Sequence, residues 1–362
     1  MAPAKKTGVL IVDDSAFSRQ TIKKMLETDS NIETLAVAID GYDAIAKTIR
    51  FKPDIITLDF EMPEMDGFAF LRWLMKEQPT PVIMVSSYSD SKTVFKALEL
   101  GAVDFIAKPT RRASEELRSI QSDLLEKVLN IKKMSLNKLR GNLERISEMD
   151  EVEAEPKARK EDLPETPAGK RLTDVIAIGS STGGPAALQL VLTSLPAKFK
   201  PAILISQHMP KGFTKSLAER LNRLSAITIK EAKDGDLISP STAYICPGGL
   251  HMGVKKKKGY YYTVLQGQRS TDKYVPSIDH MMRSVAGSFG KNAVGVILTG
   301  MGDDGRKGML EIKKKGGYTI AESEETAVIY GMPREAINSG AADLVRPLHS
   351  IPDEFVSLFK GK

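Results

Sequence analysis

Val175–Ala187 reads VIAIGSSTGGPAA: an apolar run, a turn of small residues, then a proline and helix formers. A buried strand that breaks into Gly179-Ser180-Ser181-Thr182-Gly183-Gly184 and restarts as a helix places a hydroxyl at the strand's C-terminal edge. The unpaired amides of a helix N-terminus lie beside it, and open α/β sheets put their chemistry at that edge. Two readings compete for the turn. One is a loop that cradles phosphate; the other is a nucleophile turn whose backbone N–H groups stabilise an oxyanion. The closing Gly-Lys-Ser/Thr of a P-loop is missing and the glycines do not fall in GxGxxG, which disfavours a common nucleotide site. The choice then rests on whether a base, and a group to orient it, lie downstream.

Ala202–Ser206 is the next apolar strand, and it delivers Gln207-His208-Met209-Pro210 to the same edge as the serine turn. Of the other histidines, His251 and His280 are expected in loops or helices and His349 near the C-terminus. A third buried strand, Ala293–Leu298, ends in Thr299-Gly-Met-Gly-Asp303-Asp304-Gly305. Serine, histidine and aspartate at three strand ends are the parts of a hydrolytic triad, in which the histidine takes the serine proton and a carboxylate fixes its tautomer. Backbone amides of Thr182 and Met301 are the expected oxyanion donors. Ser180 stands beside Ser181 as a rival hydroxyl, and Asp303 beside Asp304 as a carboxylate that would compete for His208.

The first third of the chain repeats a simpler unit. Gly8–Val12, Thr34–Ile39, Asp54–Leu58, Pro81–Val85 and Asp104–Ala107 read as strands, with Asp40-Gly41 as a turn before a helix over Ala44–Phe51. Five such βα units predict a doubly wound, flavodoxin-like parallel sheet, whose C-terminal edge gathers Asp13, Asp14, Asp59, Ser86 and Lys108. Three carboxylates that close repel one another unless a divalent cation or an ammonium sits among them.

From Ser114 to about Glu148 apolar residues recur at helical spacing, after which mixed charge, Pro156, Pro164, Pro167 and Gly169 mark a tether. The expected organisation is therefore 1–130, a helical and flexible linker over 131–170, and 171–362. With 362 residues there is length for two cores, and 41% hydrophobic with 27% charged residues is a globular composition. The net charge of +6 owes much to short runs such as Lys255–Lys258, expected as a solvated hairpin or loop. Cys246 is the one cysteine, which excludes a disulfide framework and suits a reducing cytoplasm; it is expected to be buried and inert. No apolar run approaches the ~20 residues of a membrane span, and no signal-like core comes after Met1.

VDDS, LDFEMPEMDG, MVSS and the Lys108-Pro109 pair resemble the receiver domain of two-component response regulators. That resemblance implies that Asp59 accepts a phosphoryl group from a histidine kinase, with Asp13, Asp14, Asp59 and the Glu61 carbonyl around Mg²⁺. It also implies that Ser86 and Lys108 contact the phosphoryl oxygens and that Phe105 is a switching aromatic. GSSTGG, ISQHMPKGFT, PSID, LTGMGDDG and YGMPREAI resemble the catalytic domain of chemotaxis protein-glutamate methylesterases over nearly all of Asp174–Val345. The resemblance implies a C-terminal α/β, Rossmann-like hydrolase domain with a mainly parallel sheet. It makes Ser181 the nucleophile, His208 the base and Asp304 its orienter.

Together the two resemblances imply a phosphorylation-regulated enzyme that hydrolyses glutamyl methyl esters on chemoreceptors and deamidates receptor glutamines. No cofactor is expected for the esterase, no nucleic acid or membrane insertion, and the expected state is a cytoplasmic monomer. The rival reading is a response regulator whose output domain only binds a partner. A DNA-binding output is disfavoured, since no recognition helix with a basic face is present.

Overall fold

A computed structural model describes residues 6–86, 91–108, 114–131, 134, 136–152 and 174–360. The chain divides into two compact units, Met1–Arg140 and Gly141–Lys362. Among the described residues no helix is long and apolar enough to cross a membrane.

In the first unit, β1 (Thr7–Val12), β2 (Ile32–Ala38), β3 (Ile55–Leu58), β4 (Val82–Ser86) and β5 (Asp104–Ala107) form a five-stranded sheet in the order β2-β1-β3-β4-β5. All of its pairings are parallel. Helices α1 (Ala16–Leu26), α2 (Gly41–Phe51), α3 (Gly67–Glu77), α4 (Ser91–Glu99) and α5 (Ser114–Ile131) come after the strands in turn. β1 and β3 are buried along their whole length because both faces of a wound sheet are covered. α2 starts three residues before the expected Ala44. Asp40 is not part of a free turn but the N-cap, its carboxylate accepting from the Asp43 amide at 2.9 Å. The glycine of EMPEMDG has a steric reason. A Cβ on Gly67 would stand 2.4 Å from the Asp59 carbonyl oxygen, so α3 can turn back over the end of β3 only without a side chain there.

The helical run expected as one piece from Ser114 is broken: α5 ends at Ile131 and α6 spans Leu136–Val152. Asn142, on α6, donates to the Thr326 carbonyl at 3.2 Å within the second unit. The proline-rich part of the expected linker, to Lys170, lies outside the described residues, as do Ser87 and Pro109.

The second unit is built on seven strands in the order β14-β13-β12-β6-β7-β9-β8, every pairing parallel. They are β6 (Val175–Ser180), β7 (Ala202–Gln207), β8 (Thr228–Glu231), β9 (Thr242–Ile245), β12 (Ala293–Ile297), β13 (Tyr318–Glu322) and β14 (Leu344–Arg346). β10 (Leu250–Lys257) and β11 (Tyr260–Gly267) make a separate antiparallel hairpin. The helices are α7 (Gly184–Thr193), α8 (Phe213–Leu224), α9 (Ile278–Phe289), α10 (Arg306–Lys314), α11 (Met332–Asn338) and α12 (Ile351–Phe359). From β6 the chain winds one way to β7 and later returns to the other side as β12. The strand order therefore reverses between β6 and β12, and a crevice opens at their carboxyl ends. Cys246 is buried in this unit's core, and burial pushes its thiol pKa far up, which keeps it unreactive.

Candidate active site

Backbone bonds hold three loops together at that crevice. The Ser181 amide donates to Thr299 O at 3.0 Å, and the His208 amide to Ser180 O at 3.0 Å. The ends of β6, β7 and β12 are thus in register when their chains leave the sheet. Gln207 acts as the clamp. Its Nε2 donates to the carbonyls of Ser181 (2.9 Å) and His208 (3.0 Å), and its Oε1 accepts from Ser180 Oγ at 2.6 Å. Ser180 is therefore fully covered and engaged, whereas Ser181 retains 9% exposure at the rim.

The loop after β12 presses on Ser181 from the other side. A Cβ on Gly300 would lie 2.7 Å from the Ser181 Cβ, so only glycine lets the loop approach, and Met301 is the next residue of that loop. A buried carboxylate supports this loop. Glu322 accepts from the Thr299 amide at 2.7 Å and from Thr326 Oγ1 at 2.9 Å, while Thr299 Oγ1 donates to Thr182 O at 3.0 Å.

His208 Nε2 lies 2.9 Å from Asp304 Oδ2. Asp304 is buried and occupies the N-terminus of α9: Oδ2 also accepts from Ile278 N (2.7 Å), and Oδ1 from Asp279 N (2.9 Å), Ser277 Oγ (3.2 Å) and Gly305 N (3.0 Å). Burial alone would raise its pKa. The His208 hydrogen bond and charge, with the Asp279 and Ile278 amides, outweigh that and hold the carboxyl below its usual range. The arrangement is reciprocal, for Asp279 in the first turn of α9 accepts from Gly305 N (3.1 Å) and Gly308 N (2.6 Å) at the start of α10. PSID and GDDG are therefore two halves of one capping exchange.

Asp303 does not compete for the imidazole. It is half-exposed and turned toward Lys273 (3.5 Å), Arg306 (3.8 Å) and the Tyr274 hydroxyl, which donates at 3.4 Å. Two contributors escaped the sequence reading. Tyr274 stacks on His208 with centroids 4.9 Å apart and planes 8° from parallel, fixing the ring's face. His251, expected in a loop or helix, is on β10, where its Nδ1 accepts from Ser277 N at 3.1 Å and its Nε2 faces Asp272 at 3.0 Å. It thereby orients the residue that caps α9 and donates to Asp304. A cavity of about 370 Å³ beside the His208–Asp304 pair is lined by Tyr274, Asp303, Asp304, Lys273, Arg283 and Lys307.

In the first unit, Asp13, Asp14 and Asp59 each present an oxygen within 4.8 Å of the others. Lys108 Nζ is hydrogen-bonded to Asp59 Oδ2 and stands 3.8 Å from Asp13 Oδ2. Burial raises the pKa of Asp13, helped by the Asp59 charge, to about 6, and burial also raises that of Asp59 against the pull of Lys108. Asp13 Oδ2 is buried without a hydrogen-bond donor, as an oxygen that ligates a cation would be. An all-carboxylate, hard-oxygen donor set fits Mg²⁺. Glu61 lies two residues after Asp59, and its amide bonds the Asp59 carboxylate. Ser86, at the end of β4, is buried, and its carbonyl accepts from Lys108 N at 2.7 Å. Phe105 is buried, and the Lys127 ammonium of α5 donates to its carbonyl at 2.5 Å.

Comparison with known proteins agrees with this division. The CheB methylesterase family matches residues 176–355, and the response regulator receiver domain family matches residues 9–120. A protein-glutamate methylesterase/protein-glutamine glutaminase of Geobacter sulfurreducens is 45% identical over 365 residues, spanning 97% of each chain. One from Lawsonia intracellularis is 45% identical over 356 residues, 97% of this chain and 99% of that one. The crystal structure of the Thermotoga maritima CheB methylesterase catalytic domain is 42% identical, covers 51% of this chain and 98% of its own, and superposes with a TM-score of 0.50.

Proposed function

The chain belongs to the CheB methylesterase family and carries a response regulator receiver domain ahead of the esterase, and on that premise we propose that Ser181, His208 and Asp304 perform its chemistry. Its reaction is hydrolysis of glutamyl methyl esters, and of glutaminyl amides, on protein substrates. The substrates we propose are the methylated cytoplasmic helices of chemoreceptors, met in the cytoplasm.

The observation that supports the assignment is the pairing of His208, partly exposed, with the buried Asp304, 2.9 Å apart, at the rim that carries Ser181. Since Nε2 faces Asp304, it holds the proton, and Nδ1 is the ring nitrogen left to act as base. The more familiar serine-protease arrangement uses the two nitrogens the other way round. His208 Nδ1 takes the Ser181 proton as Oγ bonds to the ester carbonyl carbon, and the imidazolium formed is stabilised by Asp304. The oxyanion accepts from the Thr182 and Met301 amides, a contribution of about 3 kcal/mol for a well-placed donor. Collapse breaks the C–O bond, and the proton on Nδ1 passes to the departing methoxy oxygen, releasing methanol. Water, deprotonated by the same nitrogen, then cleaves the acyl-serine to glutamate. With a glutamine side chain the leaving group is ammonia. The reading is tested by methanol release from a methylated receptor fragment, with and without a phosphodonor, for wild type, Ser181→Ala and Asp59→Asn. Asp59→Asn is expected to stay at the basal rate when the phosphodonor is added; equal stimulation of it and wild type would refute control through Asp59.

A histidine kinase is the proposed phosphodonor, with Asp59 the acceptor and Mg²⁺ held by Asp13, Asp14, Asp59 and the Glu61 carbonyl. When bound, the ion neutralises charge on the transferring group. Lys108 and Ser86 are assigned to the phosphoryl oxygens, and Phe105 to the response that phosphorylation triggers.

Asp13 has a cost that is measurable. Its folded pKa of about 6 exceeds the ordinary carboxylate value of 3.8, so the unfolded chain loses that proton first as pH rises. Stability therefore falls between those two values, by about 1–3 kcal/mol in full, and stays reduced above them. Asp13→Asn is expected to raise the thermal midpoint of metal-free protein at pH 7 while weakening Mg²⁺ binding at least about tenfold. An unchanged midpoint in calorimetry would show that Asp13 is not strained by ionisation.

A further inference from the structure

Tyr274 sits in the excursion between β11 and α9, outside the proton path from Ser181 to Asp304. Its ring and the His208 imidazole stand 4.9 Å apart at their centroids and 8° from parallel, face upon face. The far end of the ring is fitted as closely. A Cβ on Gly302 would come 2.3 Å from the Tyr274 hydroxyl oxygen, and Gly302 has a φ of 80°, so the loop after β12 closes on the phenol only with glycine there. The hydroxyl donates to Asp303 Oδ1 at 3.4 Å, and the same carboxylate oxygen lies 3.5 Å from Lys273 Nζ.

Taking the serine proton turns a neutral imidazole into a cation. A cation is drawn to the negative face of an aromatic ring when it lies within about 6 Å of the centroid, whereas a neutral imidazole gains only ordinary stacking. The contact therefore strengthens as charge develops, which is what selective stabilisation of a transition state requires. Asp303 assists in two ways. A phenol that donates to a carboxylate carries more electron density in its ring. The Lys273 ammonium, 4.6 Å from the centroid of the same ring, would oppose an imidazolium, and Asp303 pairs with it. The acid beside Asp304 thus acts on the base through the tyrosine, without bonding to the imidazole.

We propose that Tyr274 is a positioning residue for His208: its π face fixes the plane of the imidazole and stabilises the imidazolium that forms as Ser181 attacks, with Asp303 tuning that face. This deepens the proposed function and rests on it, since the imidazolium arises only if His208 takes the serine proton.

The test uses the full-length protein with phosphodonor, as wild type, Tyr274→Phe, Tyr274→Leu and Tyr274→Met. A further form of Tyr274→Phe carries trifluorophenylalanine, whose ring keeps its shape while the fluorines withdraw charge from its face. On a methylated receptor fragment, kcat of Tyr274→Phe is expected within about threefold of wild type, with a further loss of about fivefold on fluorination. The leucine and methionine variants should lose at least about tenfold, and KM should stay within about twofold throughout. The two aliphatic side chains differ in shape, so either one completes the comparison if the other does not fold. In NMR spectra the ring-current shift of the His208 ring protons should persist in both aromatic variants and vanish in the aliphatic ones. Equal kcat for the phenylalanine and trifluorophenylalanine forms would overturn the proposal. So would wild-type kcat in the aliphatic variants, or a loss confined to KM, which would make Tyr274 a substrate contact. Absence of methanol with wild type would instead refute the esterase reading, and the NMR comparison would still decide whether Tyr274 holds the imidazole.

Discussion

Ser181→Ala is expected to abolish methanol release, lowering kcat by on the order of 10⁴-fold or more while leaving the affinity for receptor fragment and the thermal midpoint unchanged. The hydroxyl is the only atom removed, and it sits at the rim, outside the bonding that holds the turn; the Ser181 amide and carbonyl, which bond to Thr299, Gly184 and Gln207, survive the substitution. Ser180→Ala is the matched control. Its hydroxyl is buried against Gln207 Oε1, so its loss is expected to lower stability by about 1 kcal/mol and turnover only several-fold, through a loosened clamp on His208. If Ser180→Ala proved the dead variant and Ser181→Ala the active one, the nucleophile would be the wrong serine. A response regulator with a binding-only output would instead keep its function in both.

That two adjacent serines have such different surroundings is only half legible in the sequence. A strand that turns sharply sends neighbouring side chains apart, but which one faces solvent depends on Gln207, a residue from another strand. The residues readable in advance are those at strand ends, because a parallel sheet necessarily gathers its carboxyl termini at one edge: Asp13, Asp59, Ser86 and Lys108 in one unit, Ser181, His208 and Asp304 in the other. Hidden are the residues delivered by the excursion between β9 and α9. The Lys255–Tyr262 stretch has a hairpin's turn chemistry, yet nothing in its local pattern says that its base returns His251 to Ser277, or that Tyr274 lies flat on His208. Likewise, Asp279 and Asp304 each look like an ordinary helix cap. Their exchange of helices exists only once α9 and α10 pack side by side.

That exchange makes Asp304→Asn more damaging than a near-isosteric change suggests. Asp304 accepts from five donors: His208 Nε2, the amides of Ile278, Asp279 and Gly305, and Ser277 Oγ. Asparagine has one acceptor oxygen, so whichever way its amide turns, an NH₂ faces groups that donate. If the NH₂ faces Nε2, that nitrogen must become the acceptor and the ring proton moves to Nδ1, where it blocks removal of the serine proton. If it faces the other way, it meets the Asp279 and Gly305 amides at the helix ends. Turnover is expected to fall on the order of 10⁴-fold with KM little changed, and stability by about 1–3 kcal/mol. The pH dependence separates the two effects. Since the folded-state pKa of Asp304 is depressed, its contribution is complete above the unfolded carboxylate value and drains away as pH falls through the lower folded one. Wild type should therefore lose thermal stability more steeply than the variant below about pH 4, with the two midpoints converging in acid. Parallel curves in a pH series of melts would mean that ionisation of this carboxyl adds nothing to the stability of the fold.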